Sequence, residues 1–111
     1  MASYEEVKDI PNHPEQYLID VRNKDELVKT GVIPASINIP LPELEGAFKM
    51  SDNDFQTTFN RVKPTEETIL IFSCLAGGRA QRAANLAQSH GFKNAKAYKG
   101  SWTEWAQKEG L

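Results

Sequence analysis

The only cysteine of the chain lies in a segment whose residue types could make it a nucleophile. Cys74 ends an apolar run and is followed by Leu75-Ala76-Gly77-Gly78-Arg79 and then by a helix-like sequence. Glycines let successive backbone N–H groups point at one centre, the amino end of a helix adds partial positive charge, and Arg79 adds a full charge. Each of these lowers the pKa of a thiol, so the pattern predicts a thiolate beside an anion-binding loop.

A buried and inert role is the alternative for Cys74, because free cysteine is among the residue types most often found in protein cores. The glycines, the arginine and the helix start that follow it favour the functional interpretation. His13 and His90 lie far from Cys74 in the sequence. One cysteine and two distant histidines do not make a metal site, so we expect neither a metal nor another cofactor.

The elements that position this cysteine follow from alternating apolar runs and helix-like segments, which predict an α/β fold with a parallel sheet. Residues 68–72 are almost continuously apolar, which is typical of a central parallel strand covered on both faces. Cys74 then lies at the carboxyl edge of the sheet, where open α/β sheets bind their ligands. The predicted strands cover residues 17–21, 37–39, 68–72 and 95–98.

Several helices are predicted from caps and periodicity. The spacing S-x-x-E at Ser3 and again at Ser101 is typical of a capping box, in which the serine hydroxyl caps the helix. Phe55, Phe59 and Val62 follow one another at helical spacing and are expected to point inward. The helix after the cysteine loop carries a stripe of small residues that allows close packing on the sheet, namely Ala80, Ala83, Ala84 and Ala87.

Composition limits the classes of function. The chain has 111 residues, of which 40% are hydrophobic and 25% charged, and a net charge of −2. We therefore expect one domain over residues 1–111, without a nucleic-acid or membrane partner, and we expect a monomer. The first ten residues are acidic and lack the apolar region of a secretory signal, and one cysteine cannot form an internal disulfide. These observations predict a cytoplasmic location.

Four motifs, in order and over nearly the whole chain, resemble those of the rhodanese family. In this sequence they are YLIDVR (17–22) with the following acidic Glu26, GVIPASINIP (31–40), CLAGGR (74–79), and GF (91–92) with YKGSW (98–102). Among rhodaneses the chain resembles the small thiosulfate sulfurtransferases and the insect heat-shock-associated rhodanese-like proteins. Val32 and Ala35 depart from the histidine and glycine that are usual in the family, and we expect them to alter a surface turn only.

The resemblance implies a three-layer domain with a central parallel sheet of four to five strands and helices on both faces. It also implies sulfur transfer: the Cys74 thiolate takes a sulfane sulfur from thiosulfate or a small persulfide, and passes it to cyanide or to a thiol such as glutathione or thioredoxin. Arg79 is expected to bind the sulfonate of thiosulfate or to steady the persulfide. The residues expected to bind substrate through the loop are Leu75, Ala76, Gly77, Gly78, Arg79 and Ala80.

Asp20 and Arg22 lie at the end of a strand near the same edge. We expect them to support the site by pairing with each other or with a neighbouring helix, rather than to touch substrate.

Two other functions are alternatives to sulfur transfer. Phosphatases that resemble this fold use a loop with five residues between cysteine and arginine, whereas only four separate Cys74 from Arg79. The shorter ring predicts no phosphatase activity. The other rival is a non-catalytic or carrier-type module that binds a protein partner, and the presence of Cys74 makes it the weaker interpretation.

Overall fold

The computed structural model of the protein describes residues 1–111 and contains one four-stranded parallel sheet. The strands lie in the order β2-β1-β3-β4. They are β1 (Tyr17–Asp20), β2 (Ser36–Asn38), β3 (Leu70–Ser73) and β4 (Ala95–Ala97). The predicted α/β fold is confirmed, with four strands, and the apolar strand before Cys74 is one of the two central ones.

Six helices surround the sheet. They are α1 (Tyr4–Lys8), α2 (Lys24–Thr30), α3 (Leu41–Lys49), α4 (Asp52–Phe59), α5 (Gly78–Ser89) and α6 (Ser101–Glu109), and a short 3₁₀ turn spans Ile10–Asn12. None of them has both the length and the hydropathy that crossing a bilayer requires.

The two faces of the sheet each carry a hydrophobic core, because successive side chains of a strand point to opposite sides. Ile19 and Phe72 belong to a cluster of 18 buried residues that also includes residues of α3, α4 and α5. Leu18 and Ile71 belong to a cluster of nine that includes residues of α1 and α6. Helices therefore cover both faces, as the three-layer expectation required.

The alanine stripe of α5 is confirmed. Ala80, Ala83, Ala84 and Ala87 are all buried in the larger cluster, where they pack with residues of β3 and β4. Because an alanine side chain is a single methyl group, the helix axis can lie close to the sheet. This close packing places the amino end of α5 directly beyond the end of β3.

The prediction that Val62 points inward is wrong. Helix α4 ends at Phe59, and Asn60 then adopts a left-handed conformation with φ +58°. A left-handed residue ends the helical path, so the spacing that places Phe55 in the core does not extend to Val62. Val62 is 65% exposed.

The carboxyl edge of the sheet gathers the segments that form the site, because parallel strands end on the same side. The loop after β3 leads into α5, and the segment after β4 leads into α6. The two segments are joined by backbone hydrogen bonds, in which Trp102 N–H donates to the Cys74 carbonyl and Thr103 N–H to the Leu75 carbonyl, both at 3.0 Å. The start of α6 thus holds the first half of the cysteine loop.

Candidate active site

Cys74 lies just beyond β3, and its sulfur is surrounded by hydrogen-bond donors. The Gly77 N–H donates to Sγ at an N···S distance of 2.9 Å. Burial by itself raises the pKa of the Cys74 thiol, but the N–H groups of Ala80, Gly77 and Ala76 and the Ser101 hydroxyl outweigh it, so the pKa is lowered overall. The loop therefore favours the thiolate, which is the form that acts as a nucleophile.

Gly77 gives the loop its shape. Its φ of +105° is a conformation that side chains with a Cβ rarely adopt, and a Cβ there would collide with the carbonyl oxygen of Lys99. The backbone of the segment after β4 thus packs directly against the loop. Only glycine allows this approach while directing its own N–H at the Cys74 sulfur.

Ser101 is a part of the site that the sequence did not reveal. Its Oγ accepts a hydrogen bond from the Cys74 N–H at 3.1 Å, donates to the Tyr98 carbonyl at 2.7 Å, and lies 3.7 Å from the Cys74 sulfur. The predicted capping box is wrong: Gly100 is the N-cap of α6 and no side chain caps it. The only sequence signal was the place of Ser101 in the YKGSW segment, and the structure gives it a positive φ of +51°, which glycine adopts more readily than serine.

Arg79 is engaged by a carboxylate. Its guanidinium forms a two-pronged ion pair with Glu26, with N···O distances of 2.7 and 2.8 Å. The hydrogen bond from Arg79 lowers the pKa of Glu26 to about 2, although the partial burial of Glu26 opposes the shift. Glu26 stood out in the sequence only as the acidic residue after the first motif. The structure shows that the Glu26 carboxylate pairs with Arg79, the cation that was expected to bind the substrate.

Asp20 and Arg22 form a buried ion pair beside the site. The Arg22 guanidinium donates to both oxygens of Asp20, at 2.8–3.1 Å, and both side chains are almost fully inaccessible to solvent. Arg22 also donates to Thr30 and to the Gly31 carbonyl, and it lies over the Trp102 ring at 5.2 Å. Its contacts are thus with α2, the turn after it and α6, so the pair fastens these segments around the loop.

The rest of the loop faces outward. Leu75, Ala76 and Gly78 are exposed, and Leu75 is 43% exposed, whereas Gly77 and Ala80 are buried. Five surface cavities of about 200 to 570 Å³ are lined by other parts of the chain. Backbone N–H groups of this loop therefore face the Cys74 sulfur.

Comparison with known proteins supports the same identification. Residues 3–108 match the model of the rhodanese-like domain. The rhodanese domain-containing protein CG4456 of Drosophila melanogaster is 55% identical over 111 residues, covering 100% of both chains. The human thiosulfate:glutathione sulfurtransferase is 41% identical over 93 residues, 83% of this chain and 80% of the human one. The solved structure of the human single-domain sulfurtransferase TSTD1 superposes with a TM-score of 0.89 at 36% identity, covering 97% and 96% of the two chains.

The predicted cytoplasmic location is contradicted by two further relatives. The thiosulfate sulfurtransferase RDL2 of Saccharomyces cerevisiae, 38% identical over 110 residues, and a putative thiosulfate sulfurtransferase of Schizosaccharomyces pombe, 41% identical over 91 residues, are both named mitochondrial. A single free thiol is compatible with any reducing compartment, so Cys74 does not distinguish between them.

The fold, the ring of donors around Cys74 and these matches lead to one conclusion, which confirms the resemblance seen in the sequence. The chain belongs to the rhodanese-like family.

Proposed function

We propose that the protein is a single-domain sulfurtransferase that carries a sulfane sulfur on Cys74 as a persulfide. The observation that carries this proposal is the convergence of the N–H groups of Gly77, Ala80 and Ala76 on the Cys74 sulfur. Donors fixed in this way stabilise negative charge on sulfur without any rearrangement during the reaction. Relatives named thiosulfate sulfurtransferases share 36–41% identity with most of this chain.

The first half-reaction is a displacement at sulfur. The Cys74 thiolate attacks the outer sulfur of thiosulfate, a new S–S bond forms, and the bond between the two sulfurs of thiosulfate breaks. The leaving group, sulfite, takes the electron pair of that bond. An organic persulfide reacts in the same way and releases its thiolate. We propose no separate base for this step, because the loop lowers the pKa of the Cys74 thiol and so raises its thiolate fraction.

The second half-reaction returns the enzyme to its starting state. The thiolate of an acceptor attacks the terminal sulfur of the Cys74 persulfide, and the Cys74 thiolate leaves with the electron pair. A small thiol is the proposed acceptor, since relatives in human and budding yeast are named thiosulfate:glutathione sulfurtransferases. The exposed loop residues Leu75, Ala76 and Gly78 mark the side from which such an acceptor is proposed to approach. The two steps predict ping-pong kinetics.

The residues proposed to bind the donor and the persulfide are those of the loop. The N–H groups of Ala76, Gly77 and Ala80 donate to Sγ, which supports the proposal that the backbone from Leu75 to Ala80 also holds the terminal sulfur of the persulfide. Leu75 and Ala76 present exposed apolar side chains at the mouth. Asp20 and Arg22 are proposed to act only by fixing the segments on either side.

The test is an intact-mass measurement after incubation with thiosulfate. We expect the wild-type protein to gain one sulfur atom, the Cys74→Ser variant to gain none, and added glutathione to remove the sulfur from the wild type. A protein that gains no sulfur from thiosulfate or from glutathione persulfide is not a sulfurtransferase. One that gains sulfur but keeps it in the presence of small thiols is the carrier-type module.

A further inference from the structure

Arg79, the cation of the cysteine loop, is held in an ion pair with Glu26. Arg79 is close enough to Cys74 for the thiolate to raise the pKa of the guanidinium, so the two groups act on each other electrostatically. Yet both oxygens of Glu26 accept from this guanidinium, and their side chains are only 27% and 26% exposed. A fork-to-fork pair of this geometry neutralises the cation and fixes its orientation.

Glu26 is itself held in place independently of Arg79. Its Oε2 accepts a hydrogen bond from the Asn23 N–H at 2.9 Å, which is part of the capping box at the start of α2. The carboxylate therefore belongs to the rigid amino end of a helix, and it keeps the arginine engaged in the resting protein. No other arginine or lysine forms an ion pair with Glu26.

We propose that Glu26 is a specificity-determining positioning residue, which acts through Arg79 to lower the affinity of the Cys74 loop for anionic sulfur donors such as thiosulfate. With the arginine neutralised, a dianion approaching Cys74 meets the N–H dipoles of the loop and the negative charge of the thiolate, without the full charge of Arg79 to offset the latter. The affinity for a donor without a sulfonate, such as an organic persulfide, is lowered less by this ion pair. The inference rests on the proposed sulfurtransferase function.

Alkylation of Cys74 tests the charge effect without requiring sulfur transfer. Iodoacetamide and iodoacetate both react by displacement of iodide by the thiolate, but the first is neutral and the second is an anion. In Glu26→Gln the amide oxygen still accepts from Asn23 N–H, while the charge of Arg79 is released. We expect the ratio of the iodoacetate rate to the iodoacetamide rate to rise about threefold at low salt, and to fall back at high salt. Any change in thiol pKa cancels in this ratio.

Two controls separate the pair from general effects. Asp25→Asn removes an exposed carboxylate from the same helical turn, and we expect the ratio to stay within about twofold of the wild type. In an Arg79→Gln background, Glu26→Gln is also expected to change the ratio of the iodoacetate rate to the iodoacetamide rate by less than about twofold. An equal rise in that background would show that Glu26 acts directly and not through Arg79, which overturns the proposal.

Sulfur-transfer kinetics give the second readout. We expect Glu26→Gln to lower the KM for thiosulfate about tenfold, because the donor carries two charges, with little change in kcat. An unchanged alkylation ratio, or a rise in the thiosulfate KM, would show instead that Glu26 only holds Arg79 in a productive position. Should the wild type fail to take sulfur from thiosulfate, the proposed function fails, while the alkylation ratio still decides the role of Glu26.

Discussion

Removal of the Ser101 hydroxyl tests how the site is held together. The hydroxyl accepts from the Cys74 N–H at 3.1 Å and donates to the Tyr98 carbonyl at 2.7 Å, and Ser101 is completely buried. Ser101→Gly leaves both groups without a partner, at about 1–3 kcal/mol for each buried group. Because φ is +51°, glycine also relieves backbone strain, which returns about 1 kcal/mol. The expected net loss in the free energy of unfolding is about 3 kcal/mol.

The measurement is urea unfolding of the wild type, Ser101→Gly and Ser101→Ala. Alanine loses the hydroxyl and retains the strain, so we expect it to be about 1 kcal/mol less stable than glycine. The same variants are followed by the pH dependence of Cys74 alkylation. Since the hydroxyl is one of the groups that lower the pKa of the thiol, the midpoint of this profile is expected to move to higher pH in both variants.

The outcome that would refute this reasoning is specific. If Ser101→Gly is as stable as the wild type and its alkylation midpoint is unmoved, the hydroxyl contributes to neither the fold nor the thiolate. A loss of stability with an unmoved midpoint would show that Ser101 joins the two loops but does not affect the sulfur.

Four further predictions concern the backbone, the buried ion pair and pH. Gly77→Ala is expected to lower the free energy of unfolding by more than about 3 kcal/mol and to slow alkylation of Cys74 at neutral pH, because Gly77 has a positive φ and a Cβ there collides with Lys99. A variant that is as stable in urea and as reactive in alkylation as the wild type would contradict this. Ala35 is exposed and has φ +68°, so Ala35→Gly is expected to raise the free energy of unfolding by about 0.5–1 kcal/mol, measured by thermal unfolding. A decrease would argue against backbone strain at this position. Asp20→Ala leaves the Arg22 charge buried and unpaired, so chemical denaturation should show a loss of about 3–5 kcal/mol; a loss below about 1 kcal/mol would rule out a structural role for the pair. The pKa of Cys74 is lower in the folded protein than the ordinary 9.0, so the unfolded chain binds more protons between those two values. The free energy of unfolding of the wild type, relative to that of Cys74→Ser, should therefore rise with pH between the two pKa values, and this gain should be lost below the folded pKa. A difference that does not change with pH would contradict the lowered pKa of Cys74.

Much of the fold was predictable because its signals are local. The apolar run before Cys74 required a central strand, and the alanines of α5 formed a stripe at helical spacing. Val62 was misplaced because periodicity extends a helix until a residue leaves the helical conformation. The available stop signal was Asn60 itself, because asparagine is the residue that, after glycine, most often takes the left-handed conformation at the end of a helix.

The predictable part of the site is likewise its contiguous part. Cys74 and the loop up to Ala80 form one short segment, so their juxtaposition follows from chain connectivity. Glu26 and Ser101 are 48 residues before and 27 residues after Cys74 in the chain, and their contacts depend on the packing of α2 and α6 at the carboxyl edge.

The sequence by itself therefore predicted the candidate nucleophile, the donor-rich loop and the parallel sheet that carries them, since these depend on residue type and short-range spacing. Only the tertiary structure decided what surrounds the sulfur. Arg79 pairs with the Glu26 carboxylate, although the sequence predicted that it binds the substrate. The Ser101 hydroxyl joins two loops, although the spacing of the sequence predicted that it caps a helix. The physical reason is that a charge or a hydroxyl takes the partner that packing brings within about 3 Å, and separation along the chain does not reveal that distance.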